Sequence, residues 1–231
     1  MRRTMALAAV AATVLLFSGC TVGSGEVVTE TRSVSGFDEI DLRGTGEVRV
    51  TVDGTESLTI EAEDNILDRL TSDVRGTTLI LGTDRPIRPT EDVIYTVTME
   101  SLEGIEISGS GAITVGEFAT GDFSVDVSGS GAATIGDLSA ETVFVRISGS
   151  GAVTIGGDGE ELDLSISGSG AFDGSRLETS IGDVDISGSG SATVNVSETL
   201  DVGVSGSGNV EYLGNPSLTV DSSGSGTVSQ R

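Results

Sequence analysis

The sequence predicts an all-β protein, a parallel β-helix or solenoid with coils of about 18–20 residues, and three observations carry this. First, Ser108-Gly109-Ser110-Gly111 recurs from Ser128, Ser148, Ser167, Ser187, Ser205 and Ser223, at spacings of 20, 20, 19, 20, 18 and 18 residues. Second, apolar residues stand at fixed offsets from each copy. One residue before the first serine are Ile107, Val127, Ile147, Ile166, Ile186 and Val204; three before it are Ile105, Val125, Val145, Leu164, Val184, Val202 and Val220. Third, the apolar residues after each copy, such as Ile113 with Val115 and Val153 with Ile155, are again two apart. A period of two with β-branched residues on one face is strand periodicity. A hairpin meander would turn on two to five residues and reverse each strand. Here each unit is a translated copy of the last, so like stacks on like, with rungs about 4.8 Å apart.

Gly/Ser tracts are often flexible linkers, but a linker does not recur in register with flanking Ile and Val. The tract is read as a coil corner, with glycine supplying backbone freedom. Ser108-Gly109, Ser128-Gly129, Ser148-Gly149, Ser167-Gly168, Ser187-Gly188 and Ser205-Gly206 are thus expected to be structural positions. The second serines, Ser110 and its equivalents, are expected to form a hydroxyl column along one edge.

Residues 1–20 resemble a lipoprotein export signal. Arg2 and Arg3 form a basic start, Met5 to Phe17 is an apolar run too short to span a bilayer, and small residues precede Cys20. Phe17 stands where the processing site prefers Leu. Cys20 is the only cysteine, which rules out an intrachain disulfide and makes it the expected lipidation site. Lipid there would anchor the chain to a membrane without spanning it. Residues 21–35 are poor in large apolar side chains and read as a flexible tether.

Residues 36–231 form the expected repeat domain. Ile40, Leu42, Val48 and Val50 flank Arg43-Gly44-Thr45-Gly46 at the repeat offsets and read as a degenerate eighth copy. Alternation predicts strands at 57–61, 77–81 and 93–99. Ile66, Leu67 and Leu70 have helical spacing and suggest one turn closing the N-terminal end. The segment 84–89, with two prolines, reads as a loop. At the other end Ser222 and Gln230 replace apolar column residues, as a terminal repeat needs in order to avoid stacking on another molecule.

The chain holds 36 Asp+Glu and 12 Lys+Arg, for a net charge of −24; every base is Arg, and removing Arg2 and Arg3 with the leader takes the balance to −26. Such a charge repels nucleic acid and anionic membrane faces. It suits a high-salt environment, where screening relieves self-repulsion. Aromatic residues make up only 3%, which gives little for sugar stacking. With no His and no Lys, Ser–His and Ser–Lys nucleophile pairs are excluded. Acids are abundant enough for a dual-carboxylate glycosidase, but no pair stands out. No cofactor is expected. Carboxylates are Ca²⁺ ligands, yet the nonapeptide Ca²⁺-binding repeat is absent, so Ca²⁺ is a weak candidate. Asn195-Val196-Ser197 fits a glycosylation sequon, a common chance match.

Phe37-Asp38-Glu39-Ile40, Gly44-Thr45-Gly46, Glu61-Ala62-Glu63-Asp64-Asn65-Ile66-Leu67 and Thr78-Leu79-Ile80-Leu81, followed by the Ser-Gly-Ser-Gly copies, resemble the head GIN domain family of auto-transporter adhesins over residues 35–229. The resemblance implies a right-handed β-helix on an exported, often lipid-anchored protein, and it brings no catalytic residues. The expectation is a non-catalytic surface or envelope protein, held by lipid on Cys20, that presents an extended face for adhesion. An envelope accessory protein that binds another protein is the alternative, and a polysaccharide-active β-helix enzyme is a more distant one.

Overall fold

A computed structural model describes residues 20–231; the leader expected at residues 1–19 lies outside the described residues. In chain order the N-terminal part contains β1 (Thr21–Val22), β2 (Val27–Arg32), β3 (Glu39–Gly44), β4 (Glu47–Val52), β5 (Ser57–Glu63) and α1 (Asp64–Leu67). It continues with β6 (Leu70–Arg75), β7 (Thr78–Thr83), β8 (Ile87–Arg88) and β9 (Ile94–Met99). The repeats contribute β10 (Gly104–Gly109), β11 (Ala112–Ala119), β12 (Asp122–Gly129), β13 (Ala132–Gly149) and β14 (Ala152–Gly168). Then follow β15 (Ala171–Gly188), β16 (Ser191–Gly206), β17 (Asn209–Leu213), β18 (Ser217–Gly224) and β19 (Thr227–Gln230).

From β10 to β18 the molecule is a parallel β-solenoid. Ser108 pairs with Ser128, then Ser148, Ser167, Ser187, Ser205 and Ser223, rung over rung. The columns of Ile, Val and Leu point inward and form one continuous core. Unequal coil lengths are absorbed by register shifts outside the corner, between Ile135 and Leu138, Thr154 and Gly156, and Asp173 and Glu178. The corner itself never slips.

Glycine holds that register for two separate reasons. Gly129 has φ +125, and a Cβ there would lie 2.5 Å from the carbonyl oxygen of Gly109 on the rung below. Gly131 is buried, and its Cβ would lie 2.5 Å from the Ile107 side chain. Backbone hydrogen bonds carry the ladder through the corner, from Ser130 N to Gly109 O and from Ala132 N to Gly111 O. The second serines, including Ser110, Ser130 and Ser150, are exposed in a column.

The degenerate copy stacks where expected: Ile40 pairs with Ile105, Leu42 with Ile107, Val48 with Ile113 and Val50 with Val115. On its other side lies a rung without any Ser-Gly-Ser-Gly. Leu79 and Leu81 of β7 lie under Ile40 and Leu42, and Tyr95 and Val97 of β9 lie under Val48 and Val50. The first two rungs therefore run out of sequence order. The chain builds β3–β4, leaves to make the cap, returns beneath them as β7–β9, and only then climbs to β10.

Outside the repeats, in the cap, the strands no longer all run the same way. β6 is antiparallel to β7, β5 to β9 and β2 to β5. The β6–β7 link is a two-residue turn, Gly76-Thr77, with Gly76 at φ +65, which forces reversal. α1 is the expected single turn; Ile66 and Leu67 are buried, and α1 packs against β5 and β1. The predicted 84–89 loop contains β8, paired with β1.

The expected flexible tether is also corrected. β2 is hydrogen-bonded to β5 along its length, and Arg32 donates to the carbonyls of Leu67 and Leu70. Asn65 Nδ2 donates to Val22 O, and Ser24 Oγ to Asp64. Glu63, buried at the centre, accepts from Gly25 N, Thr90 N and Thr90 Oγ1. An outer strand buries little, so it needs few apolar residues, and a composition of Thr, Glu, Ser and Gly looked like a linker.

Candidate functional site: an acidic strip along one face

Outward positions of the stacked strands form two parallel columns. Four residues before each corner serine stand Ser124, Phe144, Asp163, Asp183, Asp201 and Thr219, each paired with the next. Two before it stand Glu106, Asp126, Arg146, Ser165, Asp185, Gly203 and Asp221, likewise in register, with Asp41 of β3 beneath Glu106. Alternation within a strand sends these side chains to solvent while their neighbours enter the core.

Three shallow grooves run along this strip. The first, about 340 Å³, is lined by Glu39, Asp41, Arg43, Glu106, Ser124 and Asp126 among others. The second, about 320 Å³, takes over Ser124 and Asp126 and adds Phe144, Arg146, Asp163 and Ser165. The third, about 460 Å³, takes over Ser165 and adds Asp185, Asp221 and the corner serines Ser167, Ser187, Ser205 and Ser223. Because neighbouring grooves share residues, they make one continuous surface from β3 to β18. Seven rung steps of about 4.8 Å give a length of about 34 Å.

Stacked carboxylates set its electrostatics. Burial pushes the Glu106 carboxyl up, and Asp41 and Asp126 above and below push it further. Asp183 is raised by burial, then by Asp185, Asp163 and Asp201. Asp41 faces the strip but is buried; its Oδ2 takes Arg43 Nε and Nη2, both at 2.6 Å, and its Oδ1 has no hydrogen-bond partner. Arg43 is raised by the hydrogen bond and charge of Asp41. Phe144 is 43% exposed in the middle of the strip, with Arg146 two residues on.

The two carboxyls raised by their surroundings are not neighbours. Glu106 and Asp183, the two raised carboxyls, sit four rungs apart, about 19 Å, whereas acid and base or nucleophile in glycosidases stand about 5–9.5 Å apart. Among the described residues no group of three or more acids is placed to hold a metal ion.

Cys20 is exposed and unpaired at the start of the docked N-terminal arm. The corner positions Ser108, Ser128, Ser148, Ser167, Ser187 and Ser205 come together as one ridge. The column with Phe144, Asp163, Asp183 and Asp201 is not among the sequence-predicted positions, although the same offset counting finds it four residues before each corner.

The fold and this strip define a class of protein, an acidic β-solenoid that offers a long shallow face in place of a cleft. The chain belongs to the family described as "Putative auto-transporter adhesin, head GIN domain", whose model matches residues 36–216. It is similar to a solved structure described as a putative adhesin from Bacteroides fragilis, at 26% identity and TM-score 0.86, covering 91% of this chain and 99% of that one. A protein from Parabacteroides distasonis described as a putative lipid binding protein aligns at 20% identity and TM-score 0.77, covering 92% and 100%. One from Parabacteroides merdae described as a putative adhesin aligns at 20% identity and TM-score 0.72, covering 91% and 98%. These two share the fold. No curated protein matches the chain.

Proposed function

We propose that this chain is a non-catalytic adhesion module of the cell envelope, exported and held by lipid on Cys20, whose acidic strip is the contact face. The observation that carries the reading is the unbroken strip from Asp41 to Asp221, shallow throughout and served by residues of eight successive rungs. A rigid flat face with repeating polar groups suits an extended partner surface and offers no enclosed space for a reaction. Its charge selects cationic or cation-bridged partners and repels nucleic acid.

The anchor fits this use. Cys20 leads into an arm fastened to the cap through Glu63, Asn65 and β5, so a lipid on Cys20 would hold the capped end near the membrane and leave β18 distal.

Two measurements test the reading. Mass spectrometry of membrane-extracted protein should find lipid on Cys20, and Cys20→Ser should release the chain from membranes. Purified solenoid should bind whole cells or matrix, and Asp183→Arg with Asp201→Arg should abolish this without lowering the melting temperature. Binding confined to one envelope protein in pull-downs, with no cell binding, would move the protein to the accessory-partner class. Turnover of a polysaccharide would overturn the reading.

A further inference from the structure

The two ends of the solenoid are finished differently. At the N-terminal end the outer strands β2 and β6 also pair on one edge only, but the apolar residues there, Ile66, Leu67 and Leu70, are buried. At the other end, nothing among the described residues covers the last coil. β18 pairs only with β16 and β19 only with β17, so each leaves one row of backbone N–H and C=O groups unpaired. Leu218 and Val220 occupy core columns, stacked on Leu200 and Val202, yet they are 38% and 43% exposed. The polar replacements at Ser222 and Gln230 blunt this end only in part.

Charge says what can approach it. The coil Ala171–Gly190 carries Asp173, Glu178, Asp183 and Asp185 against Arg176 alone. The last coil, from Ser217 on, carries one acidic side chain, Asp221, and one basic one, Arg231, so its side chains balance on a chain of net charge −24. Two copies repel each other along their sides, and the tip is where that repulsion is weakest.

We infer that the tip docks a second copy of this chain, tail to tail, by antiparallel pairing of β18 with its counterpart. A register centred on Val220 satisfies the pleat. It sets Val220 against Val220, Leu218 against Ser222 of the second copy, and Thr219 against Asp221 of the second copy. The Val220 column then continues into the second solenoid, and each Leu218 lies against Ser222 of the other copy. Asp221 meets a threonine, avoiding the like-charge pair that a register centred on Asp221 would create. The isologous contact closes as a twofold dimer and does not propagate, because it uses the one such tip on each copy. The inference is independent of what the strip binds.

Salt gives the signature. Apolar contact and backbone pairing survive screening, while repulsion between the acidic bodies does not, so association should strengthen from about 0.1 M to about 1 M salt as the Debye length falls from about 10 to about 3 Å. The test is sedimentation of residues 20–231 with Cys20→Ser, which hold every described strand, across a concentration series at both salts. A monomer–dimer equilibrium that tightens with salt is expected. Val220→Asp should weaken it about tenfold or more by setting like charges face to face. Leu218→Ser, a change with no new charge, should weaken it without reversing the salt trend. Monomer under all conditions, a dimer loosened by salt, a dimer indifferent to Val220→Asp, or open-ended polymers would each overturn the inference.

Discussion

The carbonyl oxygen of Gly129 lies 2.5 Å from where a Cβ on Gly149 would stand, and Gly149 itself has φ +130. Backbone conformation and the neighbouring rung therefore exclude a side chain together. Gly149→Ala is expected to destabilise the domain by about 1–3 kcal/mol from backbone strain, before any cost of displacing the rung below. Gly116 has an ordinary φ and open space around its Cβ direction. Gly116→Ala should stay within about 0.5 kcal/mol of the parent. Chemical denaturation of both variants checks the contrast.

Phe172 and Gly174 form a compensating pair. In the other coils before the last, the second position holds Val, Ile or Tyr, and two of them pair Ile113 with Val115 and Val153 with Ile155. Here the Phe172 ring fills the space of both, and a Cβ on Gly174 would meet ring carbon Cε1 at 2.6 Å. Phe172→Ala should cost about 3–5 kcal/mol, and Gly174→Val alone should also destabilise through overpacking. Phe172→Ile with Gly174→Val restores the pattern of the other coils. A double-mutant cycle should show favourable coupling of about 0.5–3 kcal/mol. Additive losses would refute the pairing.

Glu63 makes the N-terminal arm sensitive to acid. The Thr90 hydroxyl and the backbone N–H groups of Thr90, Gly25 and Glu91 hold its carboxyl below the usual range, against the opposing effect of burial. A depressed folded-state pKa means the contribution is complete above the ordinary glutamate value and is lost as pH falls through the folded value. Hydrogen exchange across residues 20–35 should be protected at neutral pH and accelerate in acid below about pH 4. Glu63→Gln should release the arm at neutral pH, leaving β10 to β16 protected.

The strip behaves in the opposite sense. Glu106 and Asp183 have raised carboxyls, so the folded state takes up protons before the unfolded chain does. Stability then falls as pH rises from the ordinary carboxylate values through the raised ones. Asp183→Asn should raise the melting temperature at neutral pH and flatten its decline across that window. An unchanged pH profile would show that the aspartate ladder carries no mutual repulsion.

The sequence alone determined the repeating part of this protein. Each rung repeats the Ile and Val columns and the two corner glycines at the same offsets, and local periodicity plus stacking of like on like leaves one arrangement. The tertiary structure alone decided the cap. Thr78–Met99 lies beneath Glu39–Val52, against chain order, because loop closure over such distances costs little and Leu79, Leu81, Tyr95 and Val97 need a covering rung. It also decided that residues 21–35 are fastened and not free, since an outer strand is held by backbone pairing, which side-chain composition does not record. The acidic strip falls between these cases: its residues stood at countable offsets, but their merging into one face needed every rung in register at once.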